Sequence, residues 1–429
     1  MNLVLRFVLI IILCICYKYI PVFEPKGINY LLSILCLGFI GFEFKKLWNS
    51  FKLSEGKKNK IQKIAYFSLI VLILTSVILI IHKEYPAGNI RFIRGFLILI
   101  CIGIGAKIVG IISKSSINAF LKNSLLFTYS TISFIAFLEI VFMFISLSHG
   151  GGEAYSGKIW NNRYWNPINK LGFRDEVPKN GKNTVFFVGD SFTAGWGVKK
   201  IEDRFGEVAA EELKKQGKLI NEINLGRYGA DTRLEYHIFE NFIKKTKIKP
   251  NHIVLQYFVN DIDNLIPNNT KCITRPLNIP TWKKTLIEGT YLANYINNIY
   301  PSQNNNYLPK ECEYVEKLKF VYNNDSIWKK EENQLAKFQN YCKQNNIKMT
   351  IVFFPFMEDL KLAKKLGIEK RVSSFCEKNN IQLLNVTNFI KSLSRKERQV
   401  SIMDSHASTK VHKLAGKNLI NLLLKNFND

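Results

Sequence analysis

The stretch Thr184–Ser191, with the sequence TVFFVGDS, decides the fold of the C-terminal part of the chain. Its first five residues form a short, largely apolar run without polar alternation, which predicts a strand that is buried on both faces. Gly189 and Asp190 then end the run with a turn. Such strands occur in parallel sheets covered by helices, so the sequence that follows is expected to alternate between strands and helices.

That alternation continues to the C-terminus. Further strands are predicted at 220–225, 252–258, 349–354 and 381–386. Helices are predicted at 204–216, 232–245, 328–345, 361–379 (with a break near Gly367) and 409–427. An insert at 262–325, rich in Asn, Pro and Tyr, is predicted to be irregular. The fold class is a flavodoxin-like three-layer α/β/α sandwich with a parallel sheet over 183–429, preceded by a linker and lead-in segment at 151–182.

Residues 1–150 differ in composition, because they contain only five of the 34 acidic residues among long apolar runs. A helix needs roughly 20 apolar residues to cross the hydrocarbon core of a bilayer. The runs that approach this length are Leu3–Ile20, Ile28–Phe44, Ile64–Ile81, Phe92–Ile112 and Leu125–Leu147. We therefore predict a transmembrane region of about five helices. The first run is interpreted as a retained anchor, since no signal-peptide cleavage site follows it.

The basic residues of the short loops predict the orientation of these helices. The loop after the second run is the most basic, with seven lysines from Lys45 to Lys63. Placing it in the cytoplasm puts residues 151–429 on the extracytoplasmic side of the cytoplasmic membrane. Glu139 lies inside the fifth run. Because an ionisable side chain is costly at that depth in a membrane, it is a candidate functional residue. The preferred interpretation is structural: a protonated carboxyl that faces another helix, or one that reaches the membrane interface.

The C-terminal part has a net charge of about +15, which would attract anionic lipid or envelope polymer. Nucleic acid is not predicted as a partner, because the charge is scattered lysine without an arginine-rich stripe, zinc pattern or aromatic motif. A general bias towards Lys, Asn and Ile would need no ligand at all. The cysteines lack CxxC spacing, so no metal site is predicted, while Cys272 and Cys312 could pair in an oxidising compartment.

Polar residues collect where the predicted strands end. Ser191 follows the first strand, Gly229 the second and Asn260 the third, and the segment before the last helix contains Asp404 and His406. Ligands of parallel sheets bind beyond the carboxyl ends of the strands, so these residues are expected at one edge of the sheet. The set permits acyl transfer through serine.

Serine is a weak nucleophile unless a neighbouring base takes its proton. His406 is the candidate base for Ser191, and Asp404 can fix the imidazole tautomer and stabilise the imidazolium. The backbone N–H groups of Ser191 and Gly229, with the side-chain amide of Asn260, can stabilise an oxyanion. This chemistry requires neither a metal nor an organic cofactor.

These motifs resemble those of the SGNH, or GDSL-like, hydrolase family. The similar segments are Gly189–Thr193 for the first family block, Asn224–Thr232 for the second, Asn260 with Asp261 for the third, and Asp404 with His406 for the fifth. The resemblance covers 183–265 and 400–425. It implies the same fold, a Ser191–His406–Asp404 triad and an oxyanion hole from Ser191, Gly229 and Asn260. Asn169–Arg174 is also similar to a segment found ahead of the first block in membrane-linked members.

Two positions depart from the family pattern. Phe258 stands where the family usually has Gly, and it would narrow the cleft. Only Ser405 separates Asp404 from His406, which is shorter than the family's frequent spacing. Trp196 is interpreted either as the wall of a sugar-binding cleft or as core or rim packing. The other histidines of this part of the chain are interpreted as structural: His237, His252 and His412.

The sequence thus predicts a membrane-anchored serine esterase that acts on O-acyl esters, acetyl esters first among them, of an envelope glycan or lipid. An envelope-polysaccharide machinery is the partner that this location suggests. One alternative is an O-acyltransferase to an envelope glycan. Another is a non-catalytic membrane assembly or binding protein with a degenerate site, which the two departures would favour.

Overall fold

The computed structural model describes residues 90–114, 118–150, 154–267, 280–299 and 313–427. The first three predicted membrane runs, the lysine-rich loop, Cys272 and Cys312 lie outside these residues. The described residues divide into two compact units. One contains 90–145 and Lys284–Asn294, and the other contains 146–283 and 295–427.

Two long apolar helices dominate the first unit: α1 (Ile90–Ser113) and α2 (Ala119–Phe142). The side chain of Asn118 caps α2 by accepting a hydrogen bond from the Phe120 N–H at 2.8 Å. Within the described residues, the segments Arg94–Ser113 and Ala119–Phe142 are long and apolar enough to cross a membrane. They correspond to the fourth and fifth predicted runs, so two of the five predicted helices are seen.

Glu139 of α2 is buried and paired. Its Oε1 lies 2.5 Å from Nη2 of Arg94, which belongs to α1. The backbone N–H groups of Tyr291 and Leu292 donate to its two carboxylate oxygens at 2.8 and 2.9 Å. Glu139 therefore faces another helix, as one of the two structural interpretations has it, and Arg94 with the two N–H groups supplies the partners that a buried carboxyl needs.

The second unit is built on a five-stranded parallel sheet in the order β2-β1-β3-β4-β5. Its strands are β1 (Thr184–Val188), β2 (Asn221–Asn224), β3 (His252–Tyr257), β4 (Lys348–Phe353) and β5 (Gln382–Asn385). This order is that of a doubly wound flavodoxin-like sheet, so the predicted α/β fold class of this part of the chain is confirmed. Each strand lies within one or two residues of its predicted position.

Helices cover both faces of this sheet. The other α-helices of the described residues, in both units, are α3 (Tyr155–Tyr164), α4 (Ser191–Ala194), α5 (Phe205–Lys215), α6 (Thr232–Thr246), α7 (Thr281–Gly289), α8 (Tyr291–Ile299), α9 (Tyr314–Asn323), α10 (Asp325–Gln344), α11 (Leu362–Lys365), α12 (Ile368–Asn379), α13 (Thr387–Ile390), α14 (Arg395–Arg398) and α15 (Thr409–Phe427). Two 3-10 helices in the described residues lie at Ile201–Asp203 and Val259–Leu265. The predicted break near Gly367 separates α11 from α12.

Alternate residues of β1 point into two different cores, which explains why the strand is apolar throughout. Phe186 and Val188 pack with residues of α6, α10 and α12, whereas Val185 and Phe187 pack with residues of α5 and α15. A fully buried side chain of this size contributes about 1.5–3 kcal/mol to folding. The two cores fix β1 in the middle of the domain, and with it the turn that carries Ser191.

Three segments differ from the sequence prediction. The described part of the insert 262–325 is helical, and Leu318, Val321 and Tyr322 of α9 are buried in the core. Their i, i+3, i+4 spacing is typical of a helix, but polar neighbours obscure it. The lead-in segment contains α3, whose Ile159 and Trp160 are buried. A short antiparallel hairpin, β6 (Gln399–Ser401) and β7 (Asp404–Ala407), was not predicted because its strands span only three and four residues.

Candidate active site

Ser191 begins α4, directly after the carboxyl end of β1. The Asp190 carboxylate caps this helix by accepting a hydrogen bond from the Phe192 N–H at 2.8 Å. The Asp190 N–H in turn donates to Oε1 of Gln256 on β3 at 3.0 Å. The turn that presents Ser191 is therefore held by its own side-chain cap and by the neighbouring strand.

His406 and Asp404 lie on β7, and they complete a hydrogen-bonded chain to Ser191. Nε2 of His406 lies 2.8 Å from Oγ of Ser191, and Nδ1 of His406 lies 2.6 Å from Oδ1 of Asp404. Side chains two residues apart on a strand share a face, so the spacing with only Ser405 between them brings Asp404 and His406 together. The short spacing is thus compatible with a triad when a strand, rather than a turn, carries both residues.

The environment of Asp404 favours a charged carboxylate. Its side chain is fully buried, and burial alone would raise its pKa, but hydrogen bonds from His406 and Ser148 bring the pKa below its usual value. The His406 N–H also donates to Oδ1 at 3.1 Å. Asp404 therefore carries the negative charge that an imidazolium at His406 would need.

Asp190, the other acid beside Ser191, is in a different electrostatic situation. Burial raises the pKa of Asp190, although the hydrogen bond from the Phe192 N–H and the charge of His406 oppose that effect. Its Oδ1 accepts from the backbone of its own turn, and side-chain hydrogen bonds with Asn260 and Gln256 also favour its ionised form, so Asp190 orients that turn.

The three predicted oxyanion donors follow three adjacent strands. Because β1 lies between β2 and β3, the turn of Ser191 is flanked by the turn of Gly229 on one side and by Asn260 on the other. Gly229 has a φ of +71°, which other residues rarely adopt. The Asn260 amide is close enough to Asp190 to favour its ionised form. The Ser191 N–H, at the first position of α4, has no acceptor within the helix.

The loops after β1 and β2 are bound to each other. The Asn224 side-chain amide donates to the Thr193 carbonyl at 2.9 Å, and its Oδ1 accepts from the Gly226 N–H at 3.0 Å. The Arg227 N–H donates to the Gly189 carbonyl at 3.0 Å. A side chain at Gly226 would collide with the backbone of Ala194, so glycine permits this close approach.

Arg174, in the segment Asn169–Arg174, supports the loop that follows Ser191. Its buried guanidinium donates to the carbonyl oxygens of Gly195 at 2.6 Å and Val198 at 2.7 Å. It also stacks on Trp165 at 4.8 Å, and burial lowers its pKa to about 9. Family resemblance singled out this segment, but the sequence has no signal that distinguishes a buried arginine from an exposed one.

Aromatic rings surround the triad. Trp196 is buried, and its ring packs on Trp165 at 4.8 Å and on Tyr228 at 4.5 Å. Of the two interpretations of Trp196, packing is the one that fits. Tyr228 is 46% exposed and lies 6.4 Å from the His406 ring. Phe258 packs on Phe192 at 4.5 Å. Tyr228 is therefore the exposed aromatic residue at the site, and its sequence position gave no indication of this.

The other histidines make structural contacts. Nε2 of His237 bonds to Asn241, and Nε2 of His252 bonds to Thr350. Burial lowers the pKa of His252 to about 4 and that of His412 to about 3. Cys342 and Cys376 are free, and burial raises the pKa of each thiol to about 12.

One acidic cluster in the described part of the chain has ligand atoms close enough to hold a metal ion: Asp175, Glu207 and Glu222. The buried Arg204 lies among these acids and forms ion pairs with Asp175 at 3.3 Å and with Glu207. Burial raises the pKa of Glu222 to about 8. The Arg204 guanidinium therefore supplies the positive charge for Asp175 and Glu207.

Comparison with known proteins finds structural likeness only. No protein-family model matches the chain, and no curated protein matches it significantly. Among solved structures, the chain is similar to a member of the lipolytic G-D-S-L family from Veillonella parvula, with 13% identity, coverage of 56% of this chain and 98% of that one, and a TM-score of 0.33.

Two esterases show comparable values. A psychrotrophic esterase from a Pseudoalteromonas species has 13% identity, covers 58% of this chain and 100% of its own, and has a TM-score of 0.34. An acetylxylan esterase from Geobacillus stearothermophilus has 12% identity, coverage of 59% and 97%, and a TM-score of 0.34. At such identities and scores the function has to be inferred from the chain's own residues.

Proposed function

We propose that the chain is a serine esterase, with Ser191 as nucleophile, His406 as general base and Asp404 as its partner. The observation that carries this proposal is the hydrogen-bonded series Ser191 Oγ, His406 Nε2, His406 Nδ1 and Asp404 Oδ1, with separations of 2.8 and 2.6 Å. Both separations are within the reach that proton transfer requires.

The reaction proceeds in two halves. As Ser191 Oγ attacks the ester carbonyl, His406 takes its proton, and Asp404 stabilises the imidazolium. Collapse of the tetrahedral intermediate breaks the bond to the alcohol, which leaves with the proton from His406, and an acyl-serine remains. Water then attacks the acyl-serine, His406 takes a proton from it, and the carboxylic acid is released as that proton returns to Ser191.

The negative oxygen of each intermediate needs fixed donors. The proposed donors are the N–H groups of Ser191 and Gly229 and the amide of Asn260. Their support is topological, because the order β2-β1-β3 brings the three turns to one edge of the sheet. Removing a single such donor typically lowers the rate by about 10²–10³-fold.

The proposed substrate is an O-acyl ester, in the first place an acetyl ester, of an envelope glycan or lipid on the extracytoplasmic side of the cytoplasmic membrane. The membrane attachment is supported by the two apolar helices, and on α2 the side chains of Phe120, Phe127 and Phe134 are 79%, 74% and 61% exposed. Apolar faces so exposed are typical of helices in lipid. The proposed side of the membrane rests on the lysine-rich loop of the sequence. An envelope-polysaccharide machinery is the proposed partner.

Acyl transfer to a glycan is a second candidate, favoured by the same helices, which could deliver an acyl donor from the membrane. It uses the same acyl-serine, and a sugar hydroxyl replaces water as the acceptor. The two reactions differ only in the second half, so the products distinguish them.

The test uses the full chain in detergent, with p-nitrophenyl acetate as substrate. The variants Ser191→Ala and His406→Ala should reduce release of p-nitrophenol to the background rate. The control His237→Ala, which removes an imidazole outside the site, should keep the wild-type rate. A serine-directed fluorophosphonate should label Ser191, as located by peptide mass spectrometry.

Turnover that persists in Ser191→Ala would show that this serine is not the nucleophile. If the wild type labels at Ser191 but hydrolyses nothing, addition of an acetylated donor and a glycan acceptor decides for acyl transfer. A folded chain that neither labels nor hydrolyses would be a non-catalytic binding protein.

A further inference from the structure

The residues that follow α2 are bonded to three loops of the candidate site. The Gly150 N–H donates to the Met403 carbonyl at 3.1 Å, next to Asp404. The Gly150 carbonyl accepts from the Tyr228 hydroxyl at 2.7 Å. The His149 carbonyl accepts from Nε1 of Trp196 at 3.2 Å. This short segment therefore contacts the loops that carry Ser191, Gly229 and Asp404.

Ser148 makes the most direct contact. Its hydroxyl donates to Oδ2 of Asp404, the oxygen that does not face His406, and both residues are buried, with 2% of their surface exposed. The Ser148 carbonyl accepts from the Ser401 hydroxyl at 3.0 Å. Ser148 is thus attached by its backbone to the strand before Asp404 and by its side chain to Asp404 itself.

We propose that Ser148 is a positioning residue for Asp404, and that the segment 148–150 is a built-in part of the active site. The proposal rests on the esterase function and deepens it. The site is complete only in a chain that contains residues 148–150, which follow α2. A chain that began at residue 151, the domain boundary predicted from the sequence, would lack them.

The role follows from the number of donors around Asp404. Oδ1 accepts from Nδ1 and from the backbone N–H of His406, and Oδ2 accepts from Ser148. A carboxylate held at both oxygens cannot rotate away from the imidazole. Without the Ser148 hydroxyl, Oδ2 is a buried acceptor without its donor, which is costly for an ionised group.

The experiment compares three variants of the full chain in detergent. Ser148→Ala removes the hydroxyl, and Ser148→Thr keeps it. Ser146→Ala is the matched control, since the Ser146 hydroxyl has no hydrogen-bond partner in the part of the chain that the structure describes. The readouts are kcat for p-nitrophenyl acetate, its pH profile, and the far-downfield proton resonance of the imidazole N–H that faces Asp404.

We expect Ser148→Ala to lower kcat roughly 10-fold, the size that loss of a hydrogen bond to a charged group predicts. In the pH profile of kcat, the activity loss on the acid side should occur at higher pH. The reason is that removing the Ser148 hydroxyl makes the ionised form of Asp404 less stable. Its downfield resonance should shift or broaden. Ser148→Thr should restore all three readouts, and Ser146→Ala should match the wild type.

Wild-type kcat, pH profile and resonance in Ser148→Ala would overturn the proposal. So would a fall in kcat that Ser148→Thr does not restore. If the wild type hydrolyses no ester, the esterase function fails by itself. The resonance then decides the role of Ser148: a shift in Ser148→Ala supports the positioning role, and an unchanged resonance rejects it.

Discussion

Asp404 and Glu139 are buried carboxylates with closely similar surroundings in two different units of the molecule. Each accepts a hydrogen bond from one basic side chain, His406 for Asp404 and Arg94 for Glu139. Each also accepts from backbone N–H groups: one at Asp404, and those of Tyr291 and Leu292 at Glu139. The two sites differ in what lies beyond the basic side chain.

An imidazole can take up and release a proton near neutral pH, whereas a guanidinium stays charged. Nε2 of His406 is hydrogen-bonded to the hydroxyl of Ser191 at 2.8 Å, whereas Nη2 of Arg94 donates to the Gly289 carbonyl at 2.9 Å. The hydrogen-bonded series at Asp404 can therefore take a proton from a nucleophile, whereas the series at Glu139 can only stabilise the fold. A buried carboxylate indicates chemistry only when its partner titrates and reaches a reactive atom.

The largest expected effect separates the two carboxylates by activity. Asp404→Asn should lower kcat for p-nitrophenyl acetate by about 10³–10⁴-fold, because the imidazole loses both its tautomer and its counter-charge. Glu139→Gln, the matching change in the other unit, should leave kcat unchanged. Equal losses in both variants would mean that Glu139 takes part in turnover, and would contradict the comparison.

The next effect concerns the contribution of the Arg94–Glu139 ion pair to stability. Removing one partner of a buried ion pair typically costs about 3–5 kcal/mol, while replacing both with apolar residues costs far less. Arg94→Met and Glu139→Leu should each lower the unfolding temperature of the full chain in detergent, and the double variant should recover much of the loss. Tryptophan fluorescence during heating measures this. A double variant less stable than either single one would contradict the pairing.

A smaller effect concerns Gly229. Alanine at a position with φ near +71° costs about 1 kcal/mol of strain, and it should also displace the N–H that faces the proposed oxyanion. We expect Gly229→Ala to lower kcat by about 10-fold. The matched control is Gly217→Ala, with a φ of +77° and open space around the added carbon.

Both variants should lose similar stability, as measured by thermal unfolding, and only Gly229→Ala should lose kcat. If the two variants keep equal kcat, the Gly229 N–H is not an oxyanion donor.

The smallest effect concerns His412, a buried imidazole without a carboxylate. Burial lowers its pKa to about 3 from an ordinary value of 6.5, so the unfolded chain binds a proton below pH 6.5 that the folded chain does not. The free energy of unfolding should therefore fall as the pH drops from 6.5 towards 3. His412→Leu should remove about 1–2 kcal/mol of that fall at pH 5.

Thermal unfolding at pH 7 and pH 5 measures this difference, with the exposed His237→Gln as the control that keeps the wild-type pH dependence. A His412→Leu variant with the same pH dependence as the wild type would show that His412 is already charged in the folded chain.

Several features were predictable from the sequence because they depend on neighbours along the chain. Burial of β1 on both faces requires an apolar run, and TVFFV is one. Gly367 ends a helix because its φ is +75°. Ser191 was predicted as a site residue because it follows a buried parallel strand, whereas Asp404 and His406, predicted at the same edge, lie on the hairpin strand β7. The helices α7, α8 and α9 were missed because polar residues dilute their periodicity.

Other features were decided only by the tertiary structure, because they join residues that are distant in sequence. Ser148 and Asp404 are 256 residues apart, and nothing local to either residue indicates the other. The same holds for the clamp of Arg174 on the loop after Ser191, and for the pairing of Glu139 with Arg94. The sheet order, which places β1 between β2 and β3, likewise brings the turns of Ser191, Gly229 and Asn260 next to one another. Sequence therefore determined which groups can react, and packing of distant segments decided which of them are held in place to do so.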